Sequence, residues 1–418
     1  MSDEEIDSNR RNAGEVFRAF LKLGLTSFGG PVAHLGYFRE EFMVRRRWVS
    51  EQQYAELVAL CQFLPGPASS QVGFGLGLAR AGYRGAIAAW AAFTLPSALL
   101  MIVFASGSVL LDRPAGTGAL AGLMAVAVGV VAHAVWGMAR SLTPDLRRIA
   151  IGIASAAAAL LLPGTAAQLG AILFGVVAGG LLCRRTASGS GSGAAPESPR
   201  STGFFADRVS LRAAAGCLAA LAGLLIALPV VSATTQIPLL EIADASARAG
   251  ALAFGGGHII LPLLQAEPAI AGAVTAEQLL TGYTAAQVVP GPMFTLVAYL
   301  GAIADQGAPL TALVALVAVF LPGFLLLLGV LPVWNRLRES QAVRAAIRGA
   351  NAAVVGILAA ALYDPVFISG VTGPASLSIA LGSLLALATK RVPVWAVVLA
   401  GAAAGAAAAL LGVAGGWG

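Results

Sequence analysis

Long apolar runs, separated by short polar or charged segments, fill almost the whole of this 418-residue chain. The runs fall at about 16–38, 54–79, 86–111, 117–139, 146–162, 165–183, 212–232, 240–266, 277–303, 309–333, 349–363, 367–389 and 393–416. About 20 such residues in a helix span the ~30 Å hydrocarbon core of a bilayer. The pattern therefore predicts an all-α polytopic membrane protein. One stretch differs: residues 186–203 read TASGSGSGAAPESPRSTG, a composition that cannot pack and predicts a flexible linker.

The halves on either side of the linker repeat each other. At an offset of 226, Glu15 matches Glu241, Lys22 matches Arg248, Gly24 matches Gly250, and Phe28-Gly29-Gly30 matches Phe254-Gly255-Gly256. At 225, Gln62 matches Gln287 and Pro65-Gly66-Pro67 matches Pro290-Gly291-Pro292; further on, Leu95-Pro96 matches Leu321-Pro322. A shared Gln-x-x-Pro-Gly-Pro at matched distance from a shared Phe-Gly-Gly marks a duplication. The expected organisation is an N-terminal transport repeat (1–185), a flexible cytoplasmic linker (186–211), a connector transmembrane helix (212–239) and a C-terminal inverted repeat (240–418).

The placement of Lys and Arg sets the expected topology, since cytoplasmic loops concentrate them. With the N-terminus inside, the loops carrying Arg39, Arg45, Arg46 and Arg47, and then Arg80 and Arg84, are also inside. Runs one and two thus begin and end on the same side. Each has a helix breaker near its middle, Gly29-Gly30-Pro31 or Pro65-Gly66-Pro67, as a re-entrant hairpin needs. The connector would invert the second repeat, giving nine crossings, four re-entrant hairpins and an outside C-terminus. Of 26 basic residues, 22 then lie in inside loops. The weak point is 146–183, barely long enough for two short spans.

Composition agrees. Charged residues make up 11% and apolar residues 58%, with mean hydropathy +0.83. That excludes a soluble enzyme, a disordered chain and a nucleic-acid-binding domain. The net charge of +6 reports cytoplasmic loops, not a nucleic-acid partner. Cys61, Cys183 and Cys217 are too few and scattered for a disulfide framework or zinc site, so no metal and no cofactor are expected. Residues 1–14 are polar and are not read as a signal peptide.

The candidate chemistry lies at the hairpin tips. A returning half-helix begins there, with free N–H groups and the positive end of its dipole, a combination that binds anions. Inverted repeats with broken helices meeting at the midplane are a transporter pattern. Small hydroxyls flank the tips: Thr26 and Ser27 before the first, Ser69 and Ser70 after the second, Thr295 after the fourth. Pro31 follows the first tip, and Gly257 stands in its place at the third. Gln62 and Gln287 precede each Pro-Gly-Pro and either donate to a substrate or cap freed backbone. Lys22 and Arg248 share one repeat position inside a membrane run; together they suffice to neutralise a dianion, or each snorkels or pairs with Glu15 or Glu241. Glu15, His34, Glu241 and His258 are the candidate proton carriers; for the histidines a structural role competes. His133 has no counterpart and reads as packing. Arg45-Arg46-Arg47 reads as a topology anchor at the headgroups.

These residues give the chain its resemblance to the chromate ion transporter family, in its long two-domain form. FLKLGLTSFGGPVAHLGYFREEFMVRRRWVSEQQYAELVALCQFLPGPASSQVGFGLG carries it in the first half, AFGGGHIILPLL and QVVPGPMFTLVAYLGA in the second. The resemblance implies two homologous halves of opposite orientation and efflux of chromate across the cytoplasmic membrane, with sulfate as a related dianion. No Walker A motif occurs, so a secondary transporter or antiporter driven by an ion gradient or counter-ion is expected. The coupling ion stays open, as does a homodimer. Alternatives are import of sulfate or a related oxyanion, flipping of a phosphorylated lipid, and an anion channel. An intramembrane enzyme lacks its catalytic inventory.

Overall fold

A computed structural model describes residues 12–28, 30–107, 114–162, 165–183, 204–205, 208–254, 257–305, 308–389 and 391–411. Gly29, Gly255 and Gly256, most of the 186–211 linker and the last seven residues lie outside these. All regular structure among the described residues is helical. Five helices are long and apolar enough to cross a bilayer, and shorter apolar helices accompany them. The chain is a multi-pass membrane protein.

The first half opens with α1 (Ala13–Thr26) and α2 (Gly30–Phe38), the latter continuing as a wide turn through Arg45. Asn12 caps α1 by accepting from the Glu15 N–H at 3.1 Å. Then come α3 (Glu51–Phe63) and α4 (Ala68–Gly107). The second half answers with α9 (Pro238–Leu252), α10 (Ile260–Gln265), α11 (Pro268–Ala273), α12 (Ala276–Val288), α13 (Leu296–Ala304) and α14 (Pro309–Val330). Reciprocal capping boxes start α3 (Ser50 with Gln53) and α12 (Thr275 with Gln278), the same positions at the 225 offset.

Helix α4 is two helices joined by a reversal. Ala81 leaves helical geometry and Gly82 has φ of 63°, a left-handed value glycine tolerates. A Cβ on Gly77 would lie 2.4 Å from the Gly85 carbonyl oxygen and 2.8 Å from Ala89 Cβ. In a continuous helix, residues eight apart stand about 12 Å from each other. The arms 68–80 and 83–107 therefore run antiparallel, separating the second and third apolar runs as the sequence pattern expects. In the second half the reversal lies between α13 and α14, where Gly301 meets Ala312.

The remaining helices interlock across the halves. They are α5 (Pro114–Leu142), α6 (Leu146–Leu161) and α7 (Thr165–Leu182) in the first half, then the connector α8 (Leu211–Thr235). The second half ends with α15 (Trp334–Glu339), α16 (Gln341–Ala361), α17 (Pro374–Ala388) and α18 (Val394–Leu410). Helix α5 packs on α17 and α18, and α16 packs on α6 and α7. Small residues set these contacts. Gly118 and Gly122 face Gly405 and Gly401; Gly175 and Gly179 face Gly349 and Ala353; Gly152 faces Gly356. Without a hydrophobic drive between helices in lipid, such close backbone approach supplies the dispersion that holds them. Only Ala214 and Ser232 of the connector α8 are buried; one side packs on α14 and α9, and Ile226 and Val230 point outward as on a lipid-facing helix.

Two boundaries differ from the sequence pattern. The apolar run at 349–363 corresponds to a helix that starts at Gln341, because Arg344 and Arg348 share one polar edge while Ala345 and Gly349 pack inward. The run at 367–389 is interrupted before Pro374, which starts α17 at the first helical position.

At Gly349 a Cβ would stand 1.9 Å from the Gly175 carbonyl oxygen, whereas Gly170, on α7, has open space. Gly349→Ala should lower stability by about 1–3 kcal/mol through overpacking. Gly170→Ala should raise it by about 0.5–1 kcal/mol through helix propensity. Thermal unfolding of the purified variants, followed by size-exclusion, reads both shifts.

Candidate functional site

The four chain breaks meet in pairs. The Gly66 N–H donates to the Ala253 carbonyl at 2.9 Å, and the Gly291 N–H donates to the Ser27 carbonyl at 3.0 Å. Each bond joins a Pro-Gly-Pro tip of one half to the residue just before the Phe-Gly-Gly of the other. Gly66 and Gly291 sit at φ of 121° and 113°, left-handed values that strain any other residue. Neither position has room for a side chain. A Cβ on Gly66 would meet Gln71 Nε2 at 2.9 Å and Gly323 Cα at 3.1 Å; one on Gly291 would meet Ser97 Oγ at 2.7 Å. The tips are thus seated on the Pro96-Ser97 and Pro322-Gly323 segments of the crossing helices α4 and α14.

The same repeat logic explains Gly24 and Gly250. A Cβ on Gly24 would lie 2.7 Å from the Ala92 carbonyl oxygen, and one on Gly250 2.0 Å from that of Val319. Helices α1 and α9 therefore press directly on the backbones of α4 and α14. Pro96 and Pro322 lie inside those helices and withdraw backbone donors from them.

Sequence-predicted residues divide by environment. Ser27, Ser69, Ser70, His34, Gln287 and Thr295 are buried. His34 Nδ1 lies 3.4 Å from Ser69 Oγ, and its ring stands edge-on to Phe93 at 5.1 Å. His258 Nδ1 lies 2.6 Å from the Tyr283 hydroxyl. Gln287 Nε2 reaches Met293 Sδ at 3.4 Å, and Thr295 Oγ1 donates to the Pro292 carbonyl at 2.9 Å. Phe28 packs toward Trp395 of α18, with ring centroids 6.3 Å apart. Pro65, Pro67, Pro290, Pro292 and Gly257 line the breaks, with Gly30, Pro31 and Phe254 half-buried beside them.

Gln62 and Thr26 face outward, and Thr26 Oγ1 donates back to the Lys22 carbonyl at 2.8 Å. The amide that serves the second tip is Gln71, which the sequence reading missed. Its Nε2 donates to the Pro65 carbonyl at 3.0 Å and to the Gly323 carbonyl at 2.9 Å, tying the tip to α14. A glutamine one turn into the half-helix that follows a Pro-Gly-Pro was the available signal.

The repeated cation position has two different environments. Lys22 is exposed on α1 and makes no ion pair among the described residues. Arg248 is clamped by Asp244 and Glu267, whose side chains are only 5% and 1% exposed. Its partners are thus not Glu241 but the carboxylate one helical turn earlier and the acid at the α10–α11 corner. Glu15 pairs with Arg80 at 2.9 Å and with Arg46 at 3.4 Å, while Arg46 also holds Glu41 at 2.8 Å. Arg46 and Arg80 lie over the Trp48 ring at 5.7 and 5.4 Å. Arg39 joins Glu51 at 3.0 Å. This cluster gathers the start of α1, the end of α2, the start of α3 and the end of the 68–80 arm. The ends of both first-half broken segments therefore lie at one place.

The family described as Chromate transporter matches residues 14–182 and 240–406. The chain belongs to the chromate transporter family. The two matched stretches begin at 14 and 240, 226 residues apart, the offset that aligns the Phe-Gly-Gly tips. Among curated relatives, the chain is 29% identical over 355 residues to a chromate transport protein of Pseudomonas aeruginosa, covering 84% of this chain and 80% of that one. It is 29% identical over 368 residues to a probable chromate transport protein of Synechococcus elongatus, covering 83% of each. A chromate transport protein of Cupriavidus metallidurans is 28% identical over 356 residues, covering 82% of this chain and 80% of that one. No solved structure matches the chain. Within this family member, the paired Gly-tip bonds, like the capping boxes of α3 and α12, are shared by both halves down to the atom.

Two outcomes follow for variants. Gly66→Ala and Gly291→Ala should each destabilise by about 1–3 kcal/mol, through positive φ and the loss of a bond across the halves. Arg248→Ala should cost about 3–5 kcal/mol, because it strands two buried carboxylates. Thermal unfolding and the yield of monodisperse protein measure both, and an unaltered Arg248→Ala protein would remove the clamp from the account.

Proposed function

We propose that the chain is a secondary transporter that moves chromate, or a closely similar tetrahedral dianion, out of the cytoplasm by alternating access. The observation that carries this reading is the pair of tip-to-tip hydrogen bonds, Gly66 to Ala253 and Gly291 to Ser27, in a member of this family. They join each Pro-Gly-Pro break to the Phe-Gly-Gly break of the other half, which supports the reading because broken helices that meet in a transporter can hold an anion. The relatives named as chromate transport proteins favour chromate as cargo. The orientation, with the N-terminus and linker inside and the second half inverted, rests on the distribution of Arg and Lys.

In this reading Arg248 holds the corner between α10 and α11, since its charge is already matched twice. Lys22 keeps its charge free for an approaching dianion. The glycine-interlocked block of α5–α7 and α16–α18 is the rigid scaffold, against which the tip-bearing helices shift.

The test is accumulation of radiolabelled chromate in cells expressing the chain, with and without excess sulfate. Lower accumulation than in control cells is expected, relieved by sulfate and weakened by Lys22→Ala at equal membrane expression. Unchanged accumulation with verified expression would overturn chromate efflux, and raised accumulation would reverse the direction.

A further inference from the structure

The duplicated tips are not chemically equal. The first half carries Ser27, His34, Ser69, Ser70, Thr94 and Ser97; at the matching offsets the second half carries Ala253, Ile260, Phe294, Thr295, Phe320 and Gly323. The correspondence holds in space. The Ser27 carbonyl accepts from one tip glycine and the Ala253 carbonyl from the other, while Ser97 seats Gly291 and Gly323 seats Gly66. Duplication started from like parts, and at five of these six positions one copy is now polar where the other is apolar.

The buried polar atoms with no hydrogen-bond partner among the described residues include four from this first-copy set, Ser27 Oγ, His34 Nε2, Ser70 Oγ and Thr94 Oγ1, besides others such as Gln71 Oε1 and Trp90 Nε1. The four residues of the set are 0%, 0%, 3% and 0% exposed. The other two hydroxyls frame them, Ser69 Oγ at 3.4 Å from His34 Nδ1 and Ser97 Oγ donating to the Thr94 carbonyl at 2.9 Å. In the second copy, by contrast, the Thr295 hydroxyl is satisfied by the Pro292 carbonyl. Buried unpartnered polar atoms are rare because each costs stability. Here the residues of the set are linked through His34 against Ser69 and Phe93, and through Gly291 against Ser27, Phe93 and Ser97, a neighbourhood that points to a ligand.

The ligand's chemistry follows from the donors. The 68–80 arm begins here, so the free N–H groups of its first turn add to the hydroxyls and the imidazole. No charged side chain and no carboxylate belongs to the set. At the offsets of Ser69 and Thr94 the second half carries the aromatic rings of Phe294 and Phe320, 5.8 Å apart, and Phe320 lies 5.9 Å from Phe324, which stacks on Phe74 at 4.3 Å. We propose that the first-half tips form a single asymmetric site for a fully ionised tetrahedral oxyanion, held by uncharged donors, with the second-half aromatics as its dry wall. This rests on the transport reading and names the site within it. Such a site favours chromate and sulfate over hydrogen phosphate, whose proton would need an acceptor that a carboxylate supplies best.

Equilibrium dialysis of the purified full-length protein against radiolabelled chromate tests the proposal. One anion per chain is expected, displaced by sulfate and poorly by phosphate. Thr94→Val and Ser27→Ala should each weaken binding about tenfold. Without anion, Thr94→Val should unfold at the wild-type temperature or above, because it removes an unpaired buried hydroxyl, so its lost binding is not misfolding. Two equal sites per chain, displacement by phosphate as effective as by sulfate, or wild-type affinity in both variants would overturn the site. A wild-type protein that exports chromate from cells while both variants bind normally would leave the transport reading standing and this site refuted. A protein that neither exports nor binds chromate or sulfate would end both.

Discussion

Two backbone hydrogen bonds, from Gly66 to Ala253 and from Gly291 to Ser27, are what the rest of the architecture depends on. A helix broken inside a bilayer exposes peptide groups that lipid cannot satisfy, so partners must come from the protein itself. Here each broken segment finds its partner in the other half. The residues that make this possible are glycines at φ values of 121° and 113°, seated on α4 and α14 with no room for a side chain. The prolines beside them remove donors that would otherwise go unpaired. Gln71 then collects two further carbonyls, Pro65 and Gly323, and locks the second tip to the opposite helix.

Much of this was legible in the residues alone. The repeat offset, the breaker positions and the match between Gly24 and Gly250 all reappear as contacts, because backbone proximity leaves a glycine signature wherever it is needed twice. The side chains that serve the breaks were less legible. Gln62 and Gln71 both neighbour a Pro-Gly-Pro, and only the direction in which each helix leaves the tip tells that Gln71 points inward. Asp244, one helical turn before Arg248, was readable as a partner; Glu267, nineteen residues later and beyond another break, was not. Sequence offset also treats Lys22 and Arg248 as equals, although only one of them sits beside carboxylates.

Apart from exposed Lys22, the charged residues at the repeated helix starts and corners are matched locally. Glu15, Glu41, Arg46 and Arg80 form one knot with Trp48, and Asp244, Arg248 and Glu267 form another. Glu41 and Glu267 occupy the same repeat position, yet their cations come from different places, a loop in one half and a helix in the other. Duplicated halves can keep an acid at a shared corner while exchanging its counter-charge, provided burial never leaves either unpaired.

The exchange of helices between halves bears on how the chain is made. The glycine face of α5 is matched by α18, and that of α7 by α16. During synthesis the first half enters the membrane with those faces bare, touching only lipid, until the closing segments of the polypeptide emerge. Assembly of the α5 interface then waits for α18, which leaves the ribosome long after α5 does. Helix α5 is long and apolar enough to wait as a span of its own, whereas the shorter α6 and α7 complete their packing only against α16.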